Sequence, residues 1–399
     1  MLKSEVLESF EIVATTLFGL EEILANELKD LGAGKIEIIN RAVKYEGNTN
    51  LLYRSNLYLR TALKILKPIE RFQARNENQL YQKVKQIPWD KYFTFKESFA
   101  IDAVVYSETF RHSKYVALKA KDAIADLFRD SFGIRPSVDT VRPDVRINIH
   151  VAETTCTVSL DSSGVPLSKR GYRIEGSIAP INEVLAAGMI IMAGWDKKST
   201  FLDPMCGSGT IAIEAAMIAA NIAPGRLRSF GFESWKDFDE NLWKAFKENA
   251  ESKIIKPEVN ILGRDIDQKP LDSARRNIRR AGLSNIITIK KENFFESEAK
   301  DDHGIIVTNP PYGERLGSSE ARILELYQEI GTHLKHKYEG WDAWIISSNM
   351  EALKFVGLRP SQKIKLFNGA LECRFNKYEL YRGSKKGTRD SELGRSGDL

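Results

Sequence analysis

The residues with the clearest chemical capacity are Asn309, Pro310, Pro311 and Tyr312, which directly follow the apolar run 305–308. The two prolines fix the backbone after Asn309 and remove two N–H donors. The Asn309 side-chain oxygen and the Pro310 carbonyl can then both accept hydrogen bonds from one exocyclic amine, so that its lone pair is held toward an electrophile. Tyr312 offers a face for base stacking. These four residues form a candidate catalytic motif for chemistry at a nucleobase amine.

A second motif begins with Asp203-Pro204 and contains Gly207 and Gly209, between the short apolar run 200–202 and a helical pattern. Glycines let the backbone approach a ligand closely, and the helix N-terminus offers free N–H groups. The order strand, glycine turn, helix is typical of the ligand site of a doubly wound sheet. The segment lacks the lysine of a phosphate-binding loop and the third glycine of a dinucleotide fingerprint. Cys206 is interpreted as a filler of this turn.

A third motif is ILGRDID, residues 261–267, an apolar strand that ends in acidic residues. Asp265 lies at the tip of this strand, where its carboxylate can accept hydrogen bonds from both ribose hydroxyls of a nucleoside. Asp267 is expected to cap the following helix. The distance from the glycine turn is about 55 residues, against roughly 20 in dinucleotide-binding folds. An insertion over residues 225–256 accounts for the excess. This spacing disfavours a dehydrogenase.

Each motif follows an apolar strand, and strands alternate with helical patterns from about residue 181. The predicted strands are 200–202, 259–262, 286–289, 305–308 and 343–347, followed by an antiparallel pair within 363–381. This alternation predicts a parallel, Rossmann-like α/β sheet covered by helices on both faces. The carboxyl ends of parallel strands share one edge, so the three motifs are expected to converge there.

The N-terminal half has mixed patterns that predict an α+β accessory region ending near Gly164. One unit is a strand from Phe10, a helix over 20–31 and a strand over 36–45. The other is a strand over 99–105, a helix over 116–128 and strands over 145–151 and 156–160. Cys156 alternates with the apolar residues and is predicted to be a core residue.

The segment SKRGYR, residues 168–173, connects the two halves. Tyr172 lies between Lys169, Arg170 and Arg173, an arrangement that suits a nucleic-acid backbone and a base. An ordinary charged linker explains the composition equally well. Both interpretations stay open at the level of sequence.

Composition narrows the class of protein further. The 399 residues include 59 Lys and Arg and 54 Asp and Glu, which gives a net charge of +5. Hydrophobic residues make up 42% of the chain, which excludes a largely disordered protein. No apolar run of about 18 residues predicts a membrane helix, and the N-terminus lacks a secretory signal. Three scattered cysteines and dispersed histidines predict a reduced, cytoplasmic protein without a metal site. The polar tail 383–399 is expected to be mobile.

The C-terminal half resembles S-adenosylmethionine-dependent methyltransferases with the NPPY motif. The extended NPPYGERL, with SKRGYR and APINEVLAAGMI (residues 179–190), is similar to the THUMP-containing guanine-N2 RNA methyltransferases. The likeness is strongest to the large-subunit rRNA branch, which elsewhere forms the N-terminal half of a fused, two-activity protein; here we expect a stand-alone version. It implies a ferredoxin-like module over 1–55, a THUMP RNA-binding domain over 56–165 and a methyltransferase domain over 166–382.

The resemblance also implies roles for individual residues. The methionine part of S-adenosylmethionine would lie against Asp203, Gly207 and Gly209, and Asp265 would hold the ribose. Asn293 and Phe294 would flank the adenine. The other residues expected to bind the cofactor are Pro204, Ile266 and Asn309. The family pattern often has Asp at position 293. Glu314 and Arg315 would shape the pocket or contact RNA.

These features predict methyl transfer to N2 of a guanosine in large-subunit (23S) rRNA, with RNA as the partner. Three alternatives remain: a tRNA guanine, an adenine amine in DNA, which uses the same NPPY geometry, and a non-catalytic RNA-binding assembly factor. The N-terminal half and the GERL extension favour RNA over DNA. The complete set of motif residues argues against the non-catalytic factor.

Overall fold

The computed structural model describes residues 8–173, 181–311 and 320–381. The strands are β1 (Phe10–Thr16), β2 (Gly34–Ile39), β3 (Ala42–Gly47), β4 (Ala62–Gln73), β5 (Phe99–Tyr106), β6 (Val145–Ala152), β7 (Thr155–Asp161), β8 (Thr200–Asp203), β9 (Ile261–Asp265), β10 (Ile287–Lys291), β11 (Gly304–Thr308), β12 (Asp342–Ser347), β13 (Gln362–Asn368) and β14 (Leu371–Glu379). The helices are α1 (Glu21–Asp30), α2 (Thr49–Tyr58), α3 (Glu77–Lys85), α4 (Ser113–Phe132), α5 (Glu183–Met192), α6 (Thr210–Ala219), α7 (Glu240–Ser252), α8 (Gln268–Ala281), α9 (Glu320–Lys337) and α10 (Ala352–Phe355). The tail predicted over 383–399 lies outside the described residues.

The chain divides into two compact units. The first comprises residues up to 170 together with 223–252, and the second comprises 171–222 together with residues from 253 onward. The first unit contains a seven-stranded sheet in the order β2-β3-β1-β4-β7-β6-β5, in which only β5 and β6 pair in parallel. Strand β4 pairs with β1 on one side and β7 on the other. It therefore joins the strands of the two predicted N-terminal modules into one sheet.

The sequence patterns of the first unit predicted most of its elements. The expected strand from Phe10, the helix that ends before Gly32 and the elements between 99 and 160 are confirmed. The single strand predicted over 36–45 was wrong, because the chain turns back within it and forms the hairpin of β2 and β3. Arg41 lies in that turn with φ of 56°, and no glycine or proline marks it. Helices α2, α3 and α7 and strand β4 were not predicted.

The insertion expected over 225–256 packs into the first unit. Its Phe232 ring stacks on Tyr53 with centroids 4.3 Å apart, and Trp243 meets Phe232 edge-on at 5.1 Å. The Arg228 guanidinium donates to the carbonyls of Ser163 and Val165 at 2.8 and 2.6 Å. Residues 223–252 of the segment between α6 and β9 are therefore an integral part of the first unit.

The second unit contains another seven-stranded sheet, in the order β10-β9-β8-β11-β12-β14-β13. Strands β8 to β12 are parallel, and β14 pairs antiparallel with both β12 and β13. The predicted parallel sheet and its antiparallel C-terminal pair are confirmed. Strand β9 starts two residues later than the sequence suggested and ends at Asp265. Within the described ranges, every helix is too short or too polar to cross a membrane.

Candidate functional site

The main cavity of the second unit lies where the strand order reverses. Strand β8 has β9 on one side and β11 on the other, and the cavity opens at the carboxyl ends of these strands, where doubly wound sheets bind ligands. Its volume is ≈ 470 Å³, within the usual range for a small-molecule site. The residues that line it are Ile181, Asp203, Pro204, Met205, Cys206, Gly207, Thr210, Ile211, Asp265, Ile266, Asp267, Pro270, Asn293, Phe294, Phe295, Asn309, Pro310, Pro311 and Leu326. The three sequence motifs therefore meet in one cavity.

The turn after β8 is held in place by hydrogen bonds from its backbone N–H groups to residues of β9. The Cys206 N–H donates to the Arg264 carbonyl at 2.8 Å, and the Gly207 N–H donates to Asp265 Oδ2 at 2.9 Å. Gly209 has φ of +80°, and a Cβ there would lie 3.1 Å from the Ala274 Cβ. Both the backbone angle and the close approach of α8 favour glycine at this position. Gly209 does not line the cavity itself but starts α6, whose first residue Thr210 does.

Asp265 connects two segments of the cavity wall. Its Oδ2 accepts from Gly207 N–H, and its Oδ1 accepts from Asp267 N–H at 3.0 Å. Asp267 is the N-cap residue of α8, as predicted, but its side chain makes no capping hydrogen bond. A carboxylate has about four lone-pair sites, so two contacts leave acceptor capacity at Asp265 for ligand hydroxyls.

Asp203 ends β8 and is 1% exposed. Its Oδ1 accepts from the Thr308 hydroxyl at 2.9 Å. Burial raises the pKa of Asp203 to about 7, and the nearby charge of Asp265 acts in the same direction. Desolvation penalises the ionised form more than the hydrogen bonds from the Thr308 hydroxyl and the Met205 N–H favour it.

The wall beyond β9 and β10 is apolar. Ile266 is 60% exposed and lines the cavity, as does the half-buried Phe295. Asn293 uses its Oδ1 to accept from the Phe295 N–H at 3.2 Å. Phe294 is mostly buried, with its ring edge-on to His333 at 4.7 Å. Sequence reasoning missed Phe295, although it directly follows the predicted pair.

Asn309, Pro310 and Pro311 lie in the cavity wall after β11. Asn309 is half-buried, Pro310 is buried and Pro311 is exposed. Tyr312, like Glu314 and Arg315, lies outside the described residues. The part of the motif that carries the two acceptor oxygens therefore faces the same cavity as Asp203 and Asp265.

The interpretation of SKRGYR as an exposed nucleic-acid contact was wrong. Tyr172 is 1% exposed and donates to Glu214 Oε1 at 3.1 Å. Arg170 is buried and donates to the Leu167 carbonyl at 2.9 Å. Arg173 pairs with a carboxylate and donates to Thr210, the first residue of α6. Of the proposed set, only Lys169 is exposed. Buried partners rather than a ligand satisfy these polar groups.

All three cysteines are free and buried. Cys156 is fully buried, which confirms the core prediction, and burial raises the pKa of its thiol to about 11. Cys206 is 5% exposed inside its turn. His333 bonds the Ser297 carbonyl at 2.7 Å. No cluster of three His, Cys, Asp or Glu side chains within those ranges could hold a metal ion.

Family models match three consecutive parts of the chain. The RlmL ferredoxin-like domain matches residues 11–66, the THUMP domain 74–161, and the methyltransferase domain of the RMKL-like family 170–377. The chain belongs to the RMKL-like methyltransferases. The cavity of this RMKL-like methyltransferase lies within the part that matches the family's catalytic domain.

Two curated relatives are each 38% identical to this RMKL-like methyltransferase. One is the "Ribosomal RNA large subunit methyltransferase K/L" of Syntrophotalea carbinolica, aligned over 92% of this chain and 53% of its own length. The other is the "Putative RNA methyltransferase slr0064" of Synechocystis sp., aligned over 92% of this chain and 96% of its own length. The chain thus spans about half the length of the K/L relative. A solved structure, the putative methyltransferase SMU.472 complexed with SAH, has a TM-score of 0.84 and 30% identity, and the match covers 94% of this chain and 100% of that one.

Proposed function

We propose that this protein is an S-adenosylmethionine-dependent RNA methyltransferase that methylates N2 of a guanosine in large-subunit (23S) rRNA. The observation that carries the proposal is the convergence of Asp203, Asp265 and Asn309 in one cavity at the switch point of the sheet. The THUMP match over 74–161 and the relatives named for rRNA methylation support RNA as substrate. The modules over 1–55 and 56–165 would hold the RNA, and residues 166–382 would perform the chemistry, in the cytoplasm where ribosomes are made.

The cavity fits S-adenosylmethionine by its size and chemistry. Asp265 keeps acceptor capacity for ribose hydroxyls, and Ile266 with Phe295 provides an apolar wall suited to a purine. The buried carboxyl of Asp203 is suited to a cationic group. The residues that would hold the cofactor are Asp203, Pro204, Gly207, Asp265, Ile266, Asn293, Phe294 and Asn309. Gly209 would act from behind them, by shaping the turn that leads into α6. When bound, the cofactor supplies an electrophilic methyl group on a sulfonium.

The protein's own contribution is to position the amine. Asn309 Oδ1 and the Pro310 carbonyl would each accept a hydrogen bond from one N–H of the amine, which turns the nitrogen lone pair out of conjugation with the ring. Pro310 and Pro311 carry no N–H that could compete for these acceptors. Tyr312 would stack on the base, which has to leave its helical stack to reach the cavity. Such positioning can supply much of the rate enhancement, and no strong base is needed.

The first experiment is methyl transfer from radiolabelled S-adenosylmethionine to three acceptors. These are protein-free large-subunit rRNA, total tRNA and duplex DNA, each from a strain lacking the enzyme, with the modified nucleoside identified by mass. We expect label in rRNA as N2-methylguanosine. Label in tRNA would keep the chemistry and change the substrate. Label in DNA as methyladenine, or cofactor binding without label in any acceptor, would contradict the proposal.

A further inference from the structure

Helix α8 carries an unusual concentration of positive charge. It contains five basic residues and one acidic residue. The other long helices are nearly balanced: α9 has three of each, α7 has two basic and three acidic residues, and α4 has four basic and three acidic. Solvated helix faces usually mix both signs, so α8 departs from the pattern of its own chain.

The arrangement of α8 directs this charge to solvent. Leu271, Ala274, Asn277 and Ile278 are buried along one face. The four arginines at positions 275, 276, 279 and 280 are exposed on the opposite face. They form two pairs one turn apart, which we call the arginine face: Arg275, Arg276, Arg279 and Arg280. The helix macrodipole explains cations in the last turn, but Arg275 and Arg276 lie before it.

Local partners leave donors available on the arginine face. Arg275 pairs with Asp272 at 3.1 Å, Arg276 donates to Ser273 Oγ at 3.0 Å, and Arg280 donates to a backbone carbonyl at 3.2 Å. A guanidinium has five N–H donors in a planar fork that matches phosphate oxygens, so these contacts leave donors for a ligand. Four arginines on one face suit a row of phosphates.

Helix α8 is also tied to the turn after β8, residues 204–209, which we call the cofactor turn because it is proposed to hold the cofactor. The buried Asn277 side chain donates to the Ser208 carbonyl at 3.1 Å. At the other end of the helix, Pro270 lines the cavity. With a rise of about 1.5 Å per residue, the arginine face lies about 8 to 15 Å along the helix axis from that rim. Phosphates bound on this face would therefore lie close to the cavity.

We propose that the arginine face binds backbone phosphates of the RNA substrate, as a contact on the catalytic unit in addition to the N-terminal module. The proposal rests on the proposed function in taking RNA as the substrate. It assigns to Arg275, Arg276, Arg279 and Arg280 a role in affinity that is independent of base sequence.

The test uses the full chain and three double variants. Arg276→Gln with Arg279→Gln removes two charges from the arginine face. Arg276→Lys with Arg279→Lys keeps the charge and loses the fork. Lys335→Gln with Lys337→Gln removes two exposed charges from α9 of the same unit and is the matched control. Binding of protein-free large-subunit rRNA and of duplex DNA is measured between about 50 and 200 mM potassium chloride.

We expect the Gln pair on α8 to weaken rRNA binding about tenfold and to lower the slope of log affinity against log salt by about one to two. The Lys pair should keep the slope with intermediate affinity, and the α9 control should match wild type. Cofactor affinity, measured by calorimetry, should stay unchanged in all three. An rRNA loss no larger than that of the α9 control, or a loss confined to DNA, would overturn the proposal.

The outcome is separable from that of the proposed function. If wild type methylates rRNA and the Gln pair on α8 binds rRNA normally, the proposed role of the arginine face is wrong and the proposed function stands. If the Gln pair loses rRNA binding while wild type methylates no RNA, the arginine face stands and the proposed function fails.

Discussion

The Thr308 hydroxyl donates a 2.9 Å hydrogen bond to Asp203 Oδ1 and thereby joins the ends of two neighbouring parallel strands. Asp203 precedes the turn proposed to hold the cofactor, and Thr308 precedes Asn309. Both side chains are almost completely buried. Together with the pairing of β8 and β11, this contact fixes the start of the turn proposed to hold the cofactor relative to the motif proposed to bind the amine.

Thr308→Val tests that contact, because valine has the same shape and lacks the donor. Removing the Thr308 hydroxyl from the buried Asp203 carboxyl should lower the unfolding free energy by about 1–3 kcal/mol. We expect that loss in urea unfolding, together with weaker cofactor binding in calorimetry. Thr288→Val, at an exposed position of β10, is the matched control. If both variants behave alike, the Thr308 hydroxyl has no special role.

The raised pKa of Asp203 predicts a pH dependence of stability. The folded pKa of about 7 lies above the reference value of 3.8, so the folded protein holds a proton that the unfolded chain releases between these values. The stabilisation is fully present below about pH 4 and is lost as the pH rises through 7, by up to about 1.4 kcal/mol per pH unit. Asp203→Asn should remove this slope. Parallel pH profiles of the unfolding free energy for both proteins would refute the prediction.

Asn309 and Asp265 are proposed to serve different ligands, so their variants should give opposite results. Asn309→Ala should abolish methyl transfer and leave cofactor affinity nearly unchanged. Asp265→Ala should mainly weaken cofactor binding, because it loses both the proposed ribose acceptor and the anchor of the Gly207 N–H. Calorimetry with the cofactor and single-turnover methylation separate the two effects. Normal turnover in Asn309→Ala would contradict the alignment argument, and normal affinity in Asp265→Ala the ribose assignment.

Gly209→Ala should destabilise the cofactor turn. The φ of +80° costs an alanine about 1–2 kcal/mol, and its Cβ would press against Ala274 at 3.1 Å. We expect a lower unfolding temperature and weaker cofactor binding. Gly369→Ala is the control, since its φ is +65° with no atom within 4 Å of the added Cβ. It should lower stability by strain alone; equal loss of cofactor affinity in both variants would count against a specific role of Gly209.

The convergence of the three motifs could be predicted because it follows from a local rule. Each motif stands at the carboxyl end of an apolar strand, and parallel strands bring these ends to one edge. Partners distant in sequence could not be predicted. Tyr53 and Phe232 are in ring contact, but most of the first unit lies between them in the sequence, and no periodic pattern indicates that they pair. The hairpin of β2 and β3 could not be predicted for a related reason. Its turn places Arg41 at a positive φ, where a glycine would have indicated a turn in the sequence.

The partners of the segment SKRGYR, next to the cavity, could not be predicted from the sequence either. Its residue types are those of a nucleic-acid contact, and only the fold reveals that buried acceptors satisfy them. Arg173 is the clearest case, because its Nε pairs with Glu183 at 2.7 Å and its Nη2 donates to Thr210 Oγ1 at 2.9 Å. It thus joins the start of α5 to the first residue of α6, on the wall of the cavity.

Arg173 is therefore predicted to position the cofactor turn without contacting RNA. Arg173→Lys keeps the charge but cannot reach both partners with a fixed fork. We expect about tenfold weaker cofactor binding, equivalent to about 1.4 kcal/mol, with unchanged rRNA affinity. Arg226→Lys, which alters an exposed pair with Glu251 at 2.6 Å, should change neither. A loss of rRNA affinity in Arg173→Lys at unchanged cofactor affinity would restore the nucleic-acid role that its burial argues against.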